Sequence, residues 1–66
     1  MSLFFKGWDD ARKAAVVNAR AYAHDYGIEK VNEFGTKGFR VFMLPKPENR
    51  YGHELRCEVV KASDPL

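Results

Sequence analysis

Residues 9–26 carry alanines and aromatics at helical spacing, and that pattern commits the chain to one long amphipathic helix. Trp8, Ala11, Ala15, Ala19, Tyr22 and Tyr26 fall in one stripe at i, i+3, i+4 spacing, while Asp9, Lys13, Arg20 and His24 fall on the opposite face. Small alanines flanked by rings let a helix lie close to another surface, which must be the remainder of the chain. Asp9 or Asp10 is the expected N-cap, since a carboxylate there accepts backbone N–H bonds and suits the positive end of the helix dipole. Gly27 suits the left-handed position that ends a helix. Asp9 with Lys13 makes one i, i+4 ion pair on the wet face. Asn18 sits on the apolar side of the wheel, where a local hydrogen bond to backbone is expected to satisfy its amide.

Beyond Gly27 the residue types turn towards strands. Residues 28–34 form a weakly alternating strand, and Gly35, Thr36, Lys37 and Gly38 supply turn chemistry. Residues 39–44 (FRVFML) and 54–61 (ELRCEVVK) are the stronger strands. Between them residues 45–52 (PKPENRYG) form a polar loop with two prolines. Residues 63–66 are expected to be a frayed tail, and residues 1–7 an edge strand or arm. The expected architecture is an α+β fold, one N-terminal helix laid on a three-stranded antiparallel meander. Residues 2–6 can add a fourth strand in the order βαβββ, with one of Phe4 and Phe5 turned into the core. Phe39, Val41, Met43, Leu55, Cys57 and Val59 are expected under the helix. Arg40, Phe42, Leu44, Arg56, Glu58 and Val60 are expected on the open face.

At 66 residues the chain has room for one domain with a thin core. Self-association or burial in a complex would supplement the few kcal/mol such a core supplies, about 3–5 at most. The mixed charge and an apolar content of 45% exclude a disordered tract, and a net charge of +2 permits nucleic-acid binding without demanding it. Cys57 is the single cysteine, so no internal disulfide forms, and a reducing cytoplasmic setting is expected. The run Leu3-Phe4-Phe5 is too short to span a membrane.

Little in the sequence supports catalysis. His24 and His53 share no metal-ligand spacing with each other or with Cys57, and the carboxylates are scattered. Gly7 stands alone before the helix, so no phosphate-binding loop precedes it. Neither a cofactor nor a metal is expected.

Lys37-Gly38-Phe39-Arg40-Val41-Phe42 partly resembles the RNP1 element of RNA-recognition motifs, which stacks bases on a sheet face. Leu3-Phe4-Phe5 stands loosely where that family has its partner element, and residues 52–59 are similar to its last strand. The resemblance implies that Phe39 faces outward to stack a base. Arg40 replaces a small residue of the motif, Val41 replaces its second aromatic, and the family's second helix has no counterpart in the chain. A more general basic surface would use Lys37, Arg40, Lys46 and Arg50 along a phosphate backbone, with Phe42 and Tyr51 interleaved.

The resulting expectation is a non-catalytic protein that works by contact with another protein. Arg40, Phe42, Leu44, Tyr51 and Arg56 are its candidate hot spots, because aromatics and arginine dominate interface energetics. Small proteins of this kind are common among phage and mobile-element inhibitors of host machinery, anti-CRISPR proteins among them. Nucleic acid, bound through Lys37, Arg40, Lys46 and Arg50, is the alternative partner, and a homodimer is also open.

Overall fold

A computed structural model of the chain describes residues 2–52 and 56–63. Strand β1 (Ser2–Phe5) leads into helix α1 (Trp8–Tyr22), followed by β2 (Tyr26–Glu33), β3 (Thr36–Met43), a 3-10 turn (Pro47–Asn49) and β4 (Glu58–Val60). The strands form one antiparallel sheet in the order β1-β3-β2-β4, with α1 packed against it. The α+β class and the fourth strand at the N-terminus are as the sequence predicts. The meander is not. β4 crosses β3 and pairs with the far side of β2, because β1 already occupies the outer edge of β3.

The helix ends four residues sooner than its alanine–tyrosine pattern suggests. Ala23, not Gly27, takes the left-handed conformation (φ 50°) that closes it, and His24 N–H donates to Ala19 O at 3.1 Å. Gly27 is thereby released into β2. At the other end Gly7 is the N-cap, in extended conformation and with no side-chain cap, so Asp9 and Asp10 act from within the first turn, on the dipole. Asn18 Nδ2 donates to Ala14 O at 2.7 Å, the local bond expected of it.

Ala11, Ala15, Val16 and Ala19 are the fully buried helix positions. Val16 was absent from the predicted stripe, whereas Trp8 and Tyr22 at its ends stay partly in solvent. With only small side chains at the contact, α1 lies close on Tyr26, Ile28, Val41 and Val60. Phe5 and Phe39 pack at the margin, and the Trp8 ring meets Phe39 edge-on, 5.5 Å between centroids and 71° between planes. Phe5 is thus the inward member of the Phe4–Phe5 pair.

Strand β4 runs in the opposite phase to the one its sequence suggests. Tyr26 pairs with Val60 and Gly27 with Val59, so Val60 is buried beneath the helix and Val59 and Cys57 belong to the other face. Consecutive valines suit either phase, and the pairing with β2 selects one. Leu55, also expected under the helix, lies outside the described residues, as do His53, Glu54 and the tail from residue 64. Met43 is on the helix side but half-exposed. Phe39 packs beneath α1, so the outward stacking position implied by the RNP1 likeness is not formed.

The β2–β3 turn is tighter than the glycine spacing suggests. Glu33 pairs with Thr36 directly, leaving Phe34 (φ 52°) and Gly35 (φ 81°) as a two-residue turn with both residues left-handed. Lys37 and Gly38 therefore lie within β3, not in a turn.

Candidate functional site

The sheet face away from α1 is built from alternate residues of each strand. Phe4, Arg40 and Glu29 stand side by side across β1, β3 and β2, and Phe42 is opposite Gly27. Two glycines let the phenylalanines of this face lie across the sheet. A Cβ on Gly27 would sit 2.9 Å from Phe42 Cζ and 3.0 Å from Cys57 Sγ. One on Gly38 would sit 2.5 Å from Phe4 Cζ and 2.6 Å from the Phe5 carbonyl oxygen. The rings occupy the space those side chains would fill, which is the physical reason a strand former here carries glycine. No helix covers this face among the described residues; its apolar members Phe4, Val31, Phe42 and Val59 are half-buried. Arg40 pairs with Glu33 across it.

The long connection between β3 and β4 is anchored by one acidic residue. Asp25 Oδ2 accepts from Arg50 Nη2 at 2.8 Å and Asp25 Oδ1 accepts from Ala62 N–H at 3.2 Å. Arg50 Nε also donates to Pro45 O at 2.9 Å. The Arg50 hydrogen bond holds the Asp25 carboxyl below its ordinary value; the charge of Lys61 adds to this, and partial burial opposes it. His24 closes the same corner by donating from Nε2 to Leu44 O at 2.8 Å, while Leu44 N–H donates to Asp25 O at 2.9 Å.

These bonds redistribute the candidate residues. Leu44 is wholly buried, which corrects its expected place on the open face: both its backbone groups are tied to residues 24 and 25, and its side chain is enclosed. Arg50 is committed to Asp25 and Pro45, with its side chain almost fully covered. Lys46 and Lys37 are exposed, at opposite ends of β3. Tyr51 is 92% exposed and held at φ 51°, followed by Gly52 at φ 83°. Arg50, Tyr51, Gly52 and Arg56 line one polar recess of about 300 Å³. Arg40 and Phe42 therefore belong to the open face, while Arg56 lines the loop recess beside the projecting Tyr51.

A second, apolar recess was not anticipated. It holds about 250 Å³ between α1 and the β1 side of the sheet, and is lined by Leu3, Asn18, Tyr22, Tyr26, Val41 and Met43. Its signal in the sequence was faint, because Leu3 and Met43 come from strands whose neighbourhood only the sheet order reveals. Phe34, fully exposed at the hairpin tip, was likewise hidden inside a predicted strand.

Among the described residues no group of three or more His, Cys, Asp or Glu could hold a metal ion, and no helix is long and apolar enough to cross a membrane. The chain matches no family model, no curated protein and no solved structure.

Proposed function

We propose that this is a non-catalytic binding protein that acts by covering or bridging another protein through the open sheet face and the loop carrying Tyr51. The observation that supports the reading is the construction of that face: phenylalanines laid over Gly27 and Gly38 make a low aromatic surface with no helix over it among the described residues, and Arg40 stands within it, between Phe4 and Glu29. Apolar centres with aromatic and arginine anchors are what protein contacts favour. Inhibition of host machinery by a phage or mobile-element product, in the manner of anti-CRISPR proteins, is the biological setting this reading best accommodates.

A nucleic-acid reading has one specific observation in its favour: Arg50, Tyr51 and Arg56 share a polar recess next to exposed Lys46. Tyr51 could stack a base there while the cations follow phosphates. Arg50 is less available for this than its sequence suggests, since Asp25 already neutralises it.

The test is affinity capture from a cell lysate, with and without nuclease, comparing wild type with the triple variant Arg40→Ala, Tyr51→Ala, Arg56→Ala. A protein retained by wild type after nuclease treatment and lost by the variant supports the reading. Capture that disappears with nuclease moves the function to nucleic acid.

A further inference from the structure

We propose that the recess between α1 and the β1 side of the sheet binds a small neutral aromatic molecule carrying one hydroxyl or N–H group. The Tyr26 hydroxyl is the polar anchor of this site.

Tyr26 opens β2, where it is paired with Met43 on one side and Val60 on the other. In the sheet order β2 is two strands away from β1, yet Tyr26 lines the same recess as Leu3. Only the length of the ring spans that distance, and the hydroxyl is its outermost atom. The residue is 7% exposed, but its hydroxyl makes no hydrogen bond among the described residues and is not sealed from solvent. Buried tyrosine hydroxyls usually find a partner. This one is held out to the recess, where a bound molecule can supply it.

Asn18 adds an acceptor to the same lining. Its Nδ2 is committed to Ala14 O at 2.7 Å, which leaves Oδ1 without a partner among the described residues. An incoming hydroxyl or N–H group therefore has both a donor and an acceptor to choose from.

The rest of the lining selects the body of the ligand. Leu3 and Val41 are aliphatic, Met43 brings a thioether, and Tyr22 and Tyr26 bring rings. Rings and sulfur favour an aromatic guest. No lysine, arginine, aspartate or glutamate lines the recess among the described residues, so an ion entering it would lose water without gaining an opposite charge. Size sets a further limit. A cavity of about 150 Å³ takes one benzene; at about 250 Å³ this recess takes a molecule of one or two rings. Water there meets few polar partners, so its displacement by an apolar ring is favourable.

The recess is on the helix side of the sheet, opposite the face proposed for protein contact, so neither reading depends on the other. The experiment titrates the ¹⁵N-labelled full chain with phenol, with toluene as its hydroxyl-free counterpart and with benzoate as its charged one. Amide chemical shifts report binding and should move most at Leu3, Asn18, Tyr22 and Met43. Benzoate should bind roughly tenfold more weakly than phenol, or not at all. Tyr26→Phe keeps the ring and removes the hydroxyl, so the ratio of phenol to toluene affinity should fall about fivefold, the loss of one neutral hydrogen bond. Leu3→Trp fills the recess from its exposed rim and should abolish binding of both, and it carries the test if Tyr26→Phe does not fold. Several results would each overturn the proposal: no shifts with either neutral molecule, shifts centred on Phe4 and Phe42 of the open face, or benzoate binding as well as phenol. So would an unchanged affinity ratio in Tyr26→Phe, or binding that survives Leu3→Trp.

Discussion

Arg50 reaches back across the chain to place Nη2 2.8 Å from Asp25 Oδ2, and this one ion pair fixes where the β3–β4 connection leaves and re-enters the sheet. Asp25 immediately precedes β2, Arg50 closes the 3-10 turn, and the other Asp25 oxygen receives the backbone of Ala62 just after β4. Three segments that are distant in sequence therefore meet on a single carboxylate. An exposed salt bridge contributes little, but here both side chains are largely covered and further hydrogen bonds share the geometry.

Arg50→Ala should lower stability by about 1–2 kcal/mol, the loss of charge-assisted hydrogen bonds around a partly covered carboxylate. The pH dependence follows from the depressed Asp25 carboxyl. A group with a lowered folded value adds stability above its ordinary value of 3.8 and loses it as pH falls through the folded value. The urea midpoint of wild type should therefore fall by more than that of Arg50→Ala between pH 5 and pH 2. Equal losses in the two proteins would remove Asp25 from the account.

The two sheet glycines should differ in cost. A Cβ on Gly27 meets the tip of the Phe42 ring and the Cys57 sulfur, both of which can give way. One on Gly38 meets the Phe5 carbonyl at 2.6 Å, which is backbone of the neighbouring strand. Gly38→Ala should cost about 2–3 kcal/mol and Gly27→Ala about 1 kcal/mol, read from urea denaturation. The reverse order would mean that β1 does not lie beside β3 as described.

Phe34 occupies a left-handed position that favours glycine or asparagine, and its side chain is fully in solvent. Phe34→Asn keeps the two-residue turn with the residue that turn prefers, so it should stabilise the hairpin by about 0.5–1 kcal/mol. Thermal denaturation reads the change. A lower midpoint would show that the ring supports the fold after all.

The helix and the β2–β3 hairpin were legible because each depends on local periodicity; that one of Phe4 and Phe5 turns inward was legible too, but only the pairing of Phe5 with Phe39 shows which. The strand order was not, because nothing in residues 45–52 says whether the chain returns beside β3 or crosses to β2. The phase of β4 failed for a related reason: Val59 and Val60 are equally apolar, and only Tyr26 on the neighbouring strand selects Val60. Leu44 was misplaced because strand alternation was carried one residue past Met43, where hydrogen bonds to His24 and Asp25 take over from the ladder. Of the candidate contact residues, Arg40, Phe42, Tyr51 and Arg56 remain on or beside accessible surface. The apolar recess beside β1 could not be read before Leu3, Tyr22 and Met43 had been brought together.

The central claim, contact with a protein through the face of Phe4, Arg40 and Phe42, is tested most directly by titrating the captured partner with wild type and the triple variant Arg40→Ala, Tyr51→Ala, Arg56→Ala at low and moderate salt. The account predicts at least a hundredfold weaker binding by the variant, and wild-type affinity that changes little with salt. Equal binding by both proteins would contradict it. So would wild-type affinity that collapses by about a thousandfold between 50 and 200 mM salt, since that is the mark of phosphate contacts.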